Sequence, residues 1–150
     1  MTPPRRGERV LVLGYGNPGR QDDGLGPAAA EVIAGLNIPG VTVEVNYLLN
    51  IEDAADAAEH DCVLFLDAAE TGPEPFEVRE VWPAEKLAFT SHIVRPELIV
   101  AICQTHFGWT PRAWLVGIRG YDFEFQEGLT GPARVNLIQA VDYLRSWLAG

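Results

Sequence analysis

Three positions stand where an α/β chain would keep its chemistry: the pair Asp22 and Asp23, then Asp67, then His92. Asp23 lies with Asp22 in a glycine-rich loop after the first predicted strand, Asp67 ends the third, and His92 follows the fourth. In open α/β sheets, ligands bind beyond the carboxyl ends of the strands, so these positions can meet at one edge. Asp, Asp and His make a mixed oxygen and nitrogen set that suits a borderline divalent ion such as zinc, nickel or manganese. Three protein ligands with one open position give a Lewis-acid site able to activate water. The plainer readings are that Asp67 caps nearby amides and that His92 starts a helix. His60 precedes a strand, at the wrong end for the site, and His106 ends a helix, where a cation is mildly favoured.

The loop itself admits other readings. Gly14-Tyr15-Gly16-Asn17-Pro18-Gly19 matches G-x-G-x-x-G after a strand, and Glu44 stands near where a ribose-binding acid would be. Against a dinucleotide, the last glycine does not open a helix, and Asp22 and Asp23 bring negative charge where a pyrophosphate needs N–H groups. A tight glycine turn without a ligand is the structural alternative. Glycines 14, 16 and 24 would let a substrate backbone approach closely, with Asn17 and Asp22 shaping the loop.

The elements that must position these residues alternate. Val10–Leu13 and Cys62–Leu66 are apolar throughout, as buried parallel strands are. Val41–Val45 and Phe76–Val81 alternate, and the latter reads as a half-exposed strand near an edge. Ala113–Ile118 is a fifth strand. Helices are expected from Pro27 to Leu36, over Ile51–Glu59 with Asn50 as cap, from Pro96 to Thr105, and from Thr130 to Leu148. Val135, Ile138, Val141, Leu144 and Leu148 give the last helix an apolar face. This alternation predicts one domain over residues 1–150, a three-layer α/β/α sandwich with a mostly parallel, roughly five-stranded sheet.

Composition narrows the function. A net charge of −10 with a single lysine argues against nucleic-acid binding, which needs clustered cations. No apolar run approaches the roughly 20 residues of a membrane span. Val10–Leu13 is too short for a signal-peptide core, so a cytoplasmic protein is expected. Cys62 and Cys103 share no short spacing and read as small core residues of a reducing compartment.

The motifs taken in order resemble the hydrogenase maturation endopeptidases. Gly14-Tyr15-Gly16-Asn17 followed by Asp22-Asp23-Gly24-Leu25-Gly26 is similar to that family's G-x-G-N, spacer, D-[DE]-G-x-G opening. Leu66-Asp67-Ala68, Ser91-His92 and Gly128-Leu129-Thr130 match its later, shorter elements. The resemblance implies an endopeptidase that removes the C-terminal extension of a nickel–iron hydrogenase large-subunit precursor once nickel is in place. It carries the family's metal-facing residues to Asp23, Asp67 and His92. Nickel would be brought by the substrate rather than held as a resident cofactor, no serine or cysteine nucleophile is implied, and the free protein is expected to be a monomer.

One stretch departs from the family. Many members carry Asp-Gly-Gly-Thr after the second strand, where this chain has Asn46-Tyr47-Leu48-Leu49-Asn50. The difference reads as altered substrate choice, and it keeps open a binding module that checks metal loading without cutting. Peptidyl-tRNA hydrolase is the other rival, since it shares Gly16-Asn17-Pro18-Gly19. Its next motif contains a histidine that Arg20-Gln21-Asp22-Asp23-Gly24 lacks.

Overall fold

The computed structural model describes residues 1–85 and 93–150, so the expected ligand His92 lies outside the described residues. Five strands form one sheet: β1 (Val10–Tyr15), β2 (Val41–Asn46), β3 (Cys62–Ala69), β4 (Phe76–Glu80) and β5 (Arg112–Arg119). Their spatial order is β2-β1-β3-β5-β4. The first four in that order run parallel, and β4 closes one edge antiparallel to β5. Helices α1 (Leu25–Gly35), α2 (Asp53–Ala57), α3 (Pro96–Phe107) and α4 (Gly131–Ala149) complete the α/β architecture expected from the alternating sequence.

The period-2 alternation of a strand sends neighbouring residues to opposite faces. One face of the sheet therefore presents Val10, Val12, Leu64 and Leu66, and these pack with α1 and α4 residues such as Ala30, Ile33, Ala140 and Leu144. The other presents Leu11, Leu13, Val63 and Phe65 to Ala54 and Ala57 of α2 and Ile99 and Cys103 of α3. Both cysteines are buried and unpaired, as core residues.

Three boundaries differ from expectation, each for a local reason. Asp67 does not end its strand, because β3 continues to Ala69 by pairing with Gly117, Ile118 and Arg119 of β5. Asn50 does not cap α2 through its side chain; its backbone N–H instead donates to Asp53 Oδ2 at 2.8 Å, and the helix shortens to Asp53–Ala57. In α4 the buried face is turned from the one expected. Val135 and Ile138 are exposed, while Ala133, Asn136, Ala140 and Trp147 join Val141, Leu144 and Leu148 inside. Small residues let α4 lie close to α1, and Asn136 is buried because its amide donates to Arg119 O and Tyr121 Oη.

The approach of α1 to the sheet depends on one glycine. A Cβ built on Gly26 would lie 2.4 Å from Leu66 O and 2.5 Å from Tyr15 O, on two adjacent strands. Both obstacles are backbone, so neither can swing aside. Gly26→Ala is expected to lower stability by about 2–3 kcal/mol through overpacking. Gly35→Ala, at the other end of the same helix with open space around it, is expected to be neutral or mildly stabilising. Urea unfolding of the two variants checks this, and equal midpoints would refute the close-approach argument.

Candidate active site

The topology selects a place before any side chain is considered. From β1 the chain crosses through α1 to β2 on one side, whereas β3 lies on the other side of β1. The carboxyl ends of β1 and β3 thus flank the point where strand order reverses, the position at which such sheets open a crevice. Asp67 and the loop carrying Asp23 are both there.

The loop is a 3-10 segment, Pro18–Gly24, folded back over the end of β1. Asn17 starts it, with its side chain accepting a hydrogen bond from Gly19 N at 2.9 Å. The backbone N–H of Asn17 donates to Asp23 Oδ2 at 2.7 Å, which fixes the Asp23 carboxylate over the turn. Gly16, at φ +144°, is required here: a Cβ would sit 2.0 Å from Asp23 O. Asp22 faces the other way. It is fully buried and accepts hydrogen bonds from Tyr121 N, Asp122 N, Thr130 N and Thr130 Oγ1 at 2.8–3.2 Å. The two neighbouring aspartates therefore have separate tasks. Asp22 fastens the loop to the β5–α4 connection, and Asp23 is left half-buried at the sheet edge.

Asp67 belongs to a row that crosses the sheet. The register pairing Gly14 with Leu66 sets Tyr15 beside Asp67, while Tyr15 pairs with Asn46, Asp67 with Gly117, and Gly117 with Glu77. In-register neighbours share a face, so Asn46, Tyr15, Asp67 and Glu77 form a polar fringe on the α2–α3 side, with Gly117 leaving space next to Asp67. Ala68 N donates to Asp67 Oδ1 at 2.8 Å, and register sets the Tyr15 phenol beside the same carboxylate.

The electrostatics follow from this crowding. Burial pushes the pKa of Asp67 up to about 7; the charges of Asp23 and Glu70 add to the rise, and the Ala68 N–H and the Tyr15 hydroxyl only partly offset it. Burial raises the Tyr15 phenol as well, with the negative charge of Asp67 adding to the effect. The influence of Asp23 on Asp67 places the two carboxylates within electrostatic reach. Two of the three expected site residues are thus brought to one edge, and His92 lies outside the described residues. Among the described residues, no three His, Cys, Asp or Glu side chains gather closely enough to hold a metal ion. His60 is buried at the opposite edge, its Nδ1 2.6 Å from Asp56 O, and His106 sits in the last turn of α3, as expected of both.

Tyr15 is a neighbour of Asp67 that the sequence did not disclose. It reads as the filler of G-x-G until strand register sets it against Asp67. The available signal was alternation: Leu11, Leu13 and Tyr15 occupy one face of β1, as Val63, Phe65 and Asp67 do on β3.

No protein-family model matches the sequence, and no curated protein matches it. Solved structures do match. A [NiFe] hydrogenase maturation protease HycI from Thermococcus kodakarensis KOD1 superposes with a TM-score of 0.74 at 19% identity, covering 97% of this chain and 96% of its own. A hydrogenase 2 maturation peptidase from Thaumarchaeota archaeon SCGC_AB-539-E09 gives 0.71 at 22% identity, covering 95% and 99%. The hydrogenase maturating endopeptidase HybD from E. coli gives 0.72 at 21%, covering 94% and 92%. Nearly the whole chain, site edge included, therefore has the fold of the hydrogenase maturation proteases.

Proposed function

We propose that this chain is an endopeptidase that removes the C-terminal extension of a nickel–iron hydrogenase large-subunit precursor after nickel insertion. The observation that carries the reading is the convergence of Asp23 and Asp67, from the two motifs that resemble the family, at the switch point of a sheet with that family's fold. His92, after the fourth strand, completes the proposed metal-facing set. In this reading nickel arrives as part of the substrate.

Two carboxylates held near one another repel, and one of them sits close to neutrality in its titration. A cation presented by the precursor relieves that repulsion and displaces the proton, so loaded precursor is favoured over empty. A divalent ion in this position polarises the scissile carbonyl or its attacking water. No described helix is long and apolar enough to cross a membrane, consistent with action on a soluble precursor.

The test is mass spectrometry of nickel-loaded precursor incubated with the protein or with Asp23→Asn. Loss of a defined C-terminal fragment with the unmodified protein alone is the expected result. A precursor that binds without being cut would support the metal-checking module instead. Absence of both binding and cutting would reject the hydrogenase assignment.

A further inference from the structure

Between β2 and α2 the chain turns apolar side chains outward. Tyr47 is 70% exposed, Leu48 72%, Ile51 46% and Val45 41%, within seven consecutive residues. Leu49, between them, is buried at 5% exposure and holds the segment to the body of the fold. Single exposed apolar residues are ordinary, but a contiguous group of this size marks an interaction surface.

The strip has a depression at each end. One, of about 390 Å³, is walled by Gly16, Pro18, Glu31, Val45 and Tyr47. It shares Gly16 with the Asp23 loop, so the strip is continuous with the candidate active site. The other, of about 380 Å³, lies between α2 and α3 and is lined by Ile51, Glu52, Ile102 and Phe107. Phe107 is itself 51% exposed. The first depression carries the exposed Glu31 beside Asn46, and the mainly apolar second carries the exposed Glu52 together with His106. On a chain of net charge −10, no anionic partner is favoured there.

We propose that the strip from Val45 to Ile51 is the docking surface for an apolar segment of the large-subunit precursor that carries cationic side chains. The identity of the partner rests on the protease reading; the chemistry of the segment rests on the strip. Apolar side chains of the segment seat on Tyr47, Leu48 and Ile51, and its cations face Glu31 and Glu52. Docking there leads the chain past Gly16 toward Asp23 and Asp67.

The experiment combines binding and cleavage of the nickel-loaded precursor. Tyr47→Ser with Leu48→Ser removes the centre of the strip from exposed positions, and circular dichroism verifies the fold. The double variant is expected to raise KM at least tenfold with kcat within twofold. In the uncleaving Asp67→Asn background, it is expected to weaken precursor binding at least tenfold. Glu52→Lys is expected to weaken binding severalfold, with the difference shrinking at high salt. Unchanged binding in the double variant would overturn the proposal. Unchanged binding in Glu52→Lys would overturn its cationic part. A wild-type dimer that the double variant dissolves would overturn it in favour of a contact between copies of this chain. Precursor that binds the strip without being cut would refute the protease reading while sustaining the docking surface.

Discussion

Asp67→Asn is expected to abolish cleavage and, at alkaline pH, to make the protein more stable than wild type. Under the proposed function, the loss of activity follows from removing a charge directed at the substrate metal, and kcat should fall on the order of 10²–10³-fold. The gain in stability follows from the same charge. The folded-state pKa of Asp67 is pushed up to about 7 by burial and by Asp23, from an ordinary value of 3.8. Folding therefore disfavours the ionised form. The penalty is absent below about pH 4, where the carboxyl is protonated in both states. It grows as pH rises toward 7 and is complete above that. A shift of this size corresponds to a penalty of about 4 kcal/mol at pH 8. Asparagine has nearly the same shape, can still accept from Ala68 N, and carries no charge. Urea midpoints of wild type and Asp67→Asn should separate at pH 8 and converge below pH 4. A variant less stable than wild type at pH 8 would show that the Asp67 charge is compensated within the protein. A protein that holds an unfavourable carboxylate at its working edge gives up stability for activity.

The parts of the molecule that could be read from the sequence were those governed by local pattern. Apolar runs at Val10–Leu13 and Cys62–Leu66 mark buried parallel strands because both of their faces are covered. Thr130 and Pro132 mark the start of α4 because a side-chain oxygen and a missing N–H suit a helix N-terminus; Thr130 Oγ1 accepts from Ala133 N. The strand-end rule pointed to the edge where the Asp23 loop and Asp67 lie for the same kind of reason, since a switch point follows from chain order. What escaped was set by register and by contacts distant in sequence. Tyr15 meets Asp67 across 52 residues, through pairing that no local window contains. The exposed Val135 and Ile138 keep helical spacing with the buried residues, but α1 needs the small residues Ala133 and Ala140 at the close contact. Asp22 and Asp23, adjacent and chemically identical, are separated in the sequence only by the family resemblance; the physical difference between them comes from the β5–α4 connection.

Asp22→Ala is accordingly expected to be among the most destabilising single changes in the protein. The substitution leaves the N–H groups of Tyr121, Asp122 and Thr130 and the hydroxyl of Thr130 without the acceptor that the fully buried Asp22 supplies. Buried donors stripped of a charged acceptor cost on the order of 3–5 kcal/mol in total, well beyond an ordinary surface change. Asp22→Asn, which keeps one acceptor oxygen, should cost about half as much. The pH dependence runs opposite to that of Asp67. Burial alone would raise the pKa of Asp22, but its hydrogen bonds prevail and hold it below the usual carboxylate value. Its contribution is full above the unfolded-state pKa near 4 and is lost as pH falls through the lower folded-state value. Wild type should therefore lose this stabilisation below pH 4, while Asp22→Asn, with nothing to protonate, should not lose it. Urea unfolding at pH 7 and pH 3 reads both effects. An unchanged midpoint for Asp22→Ala at pH 7 would mean that the loop needs no such anchor. If the anchor is needed, folded Asp22→Ala should also cleave poorly, because the turn it fastens to residues 121–130 is the one that holds the Asp23 carboxylate against Asn17 N.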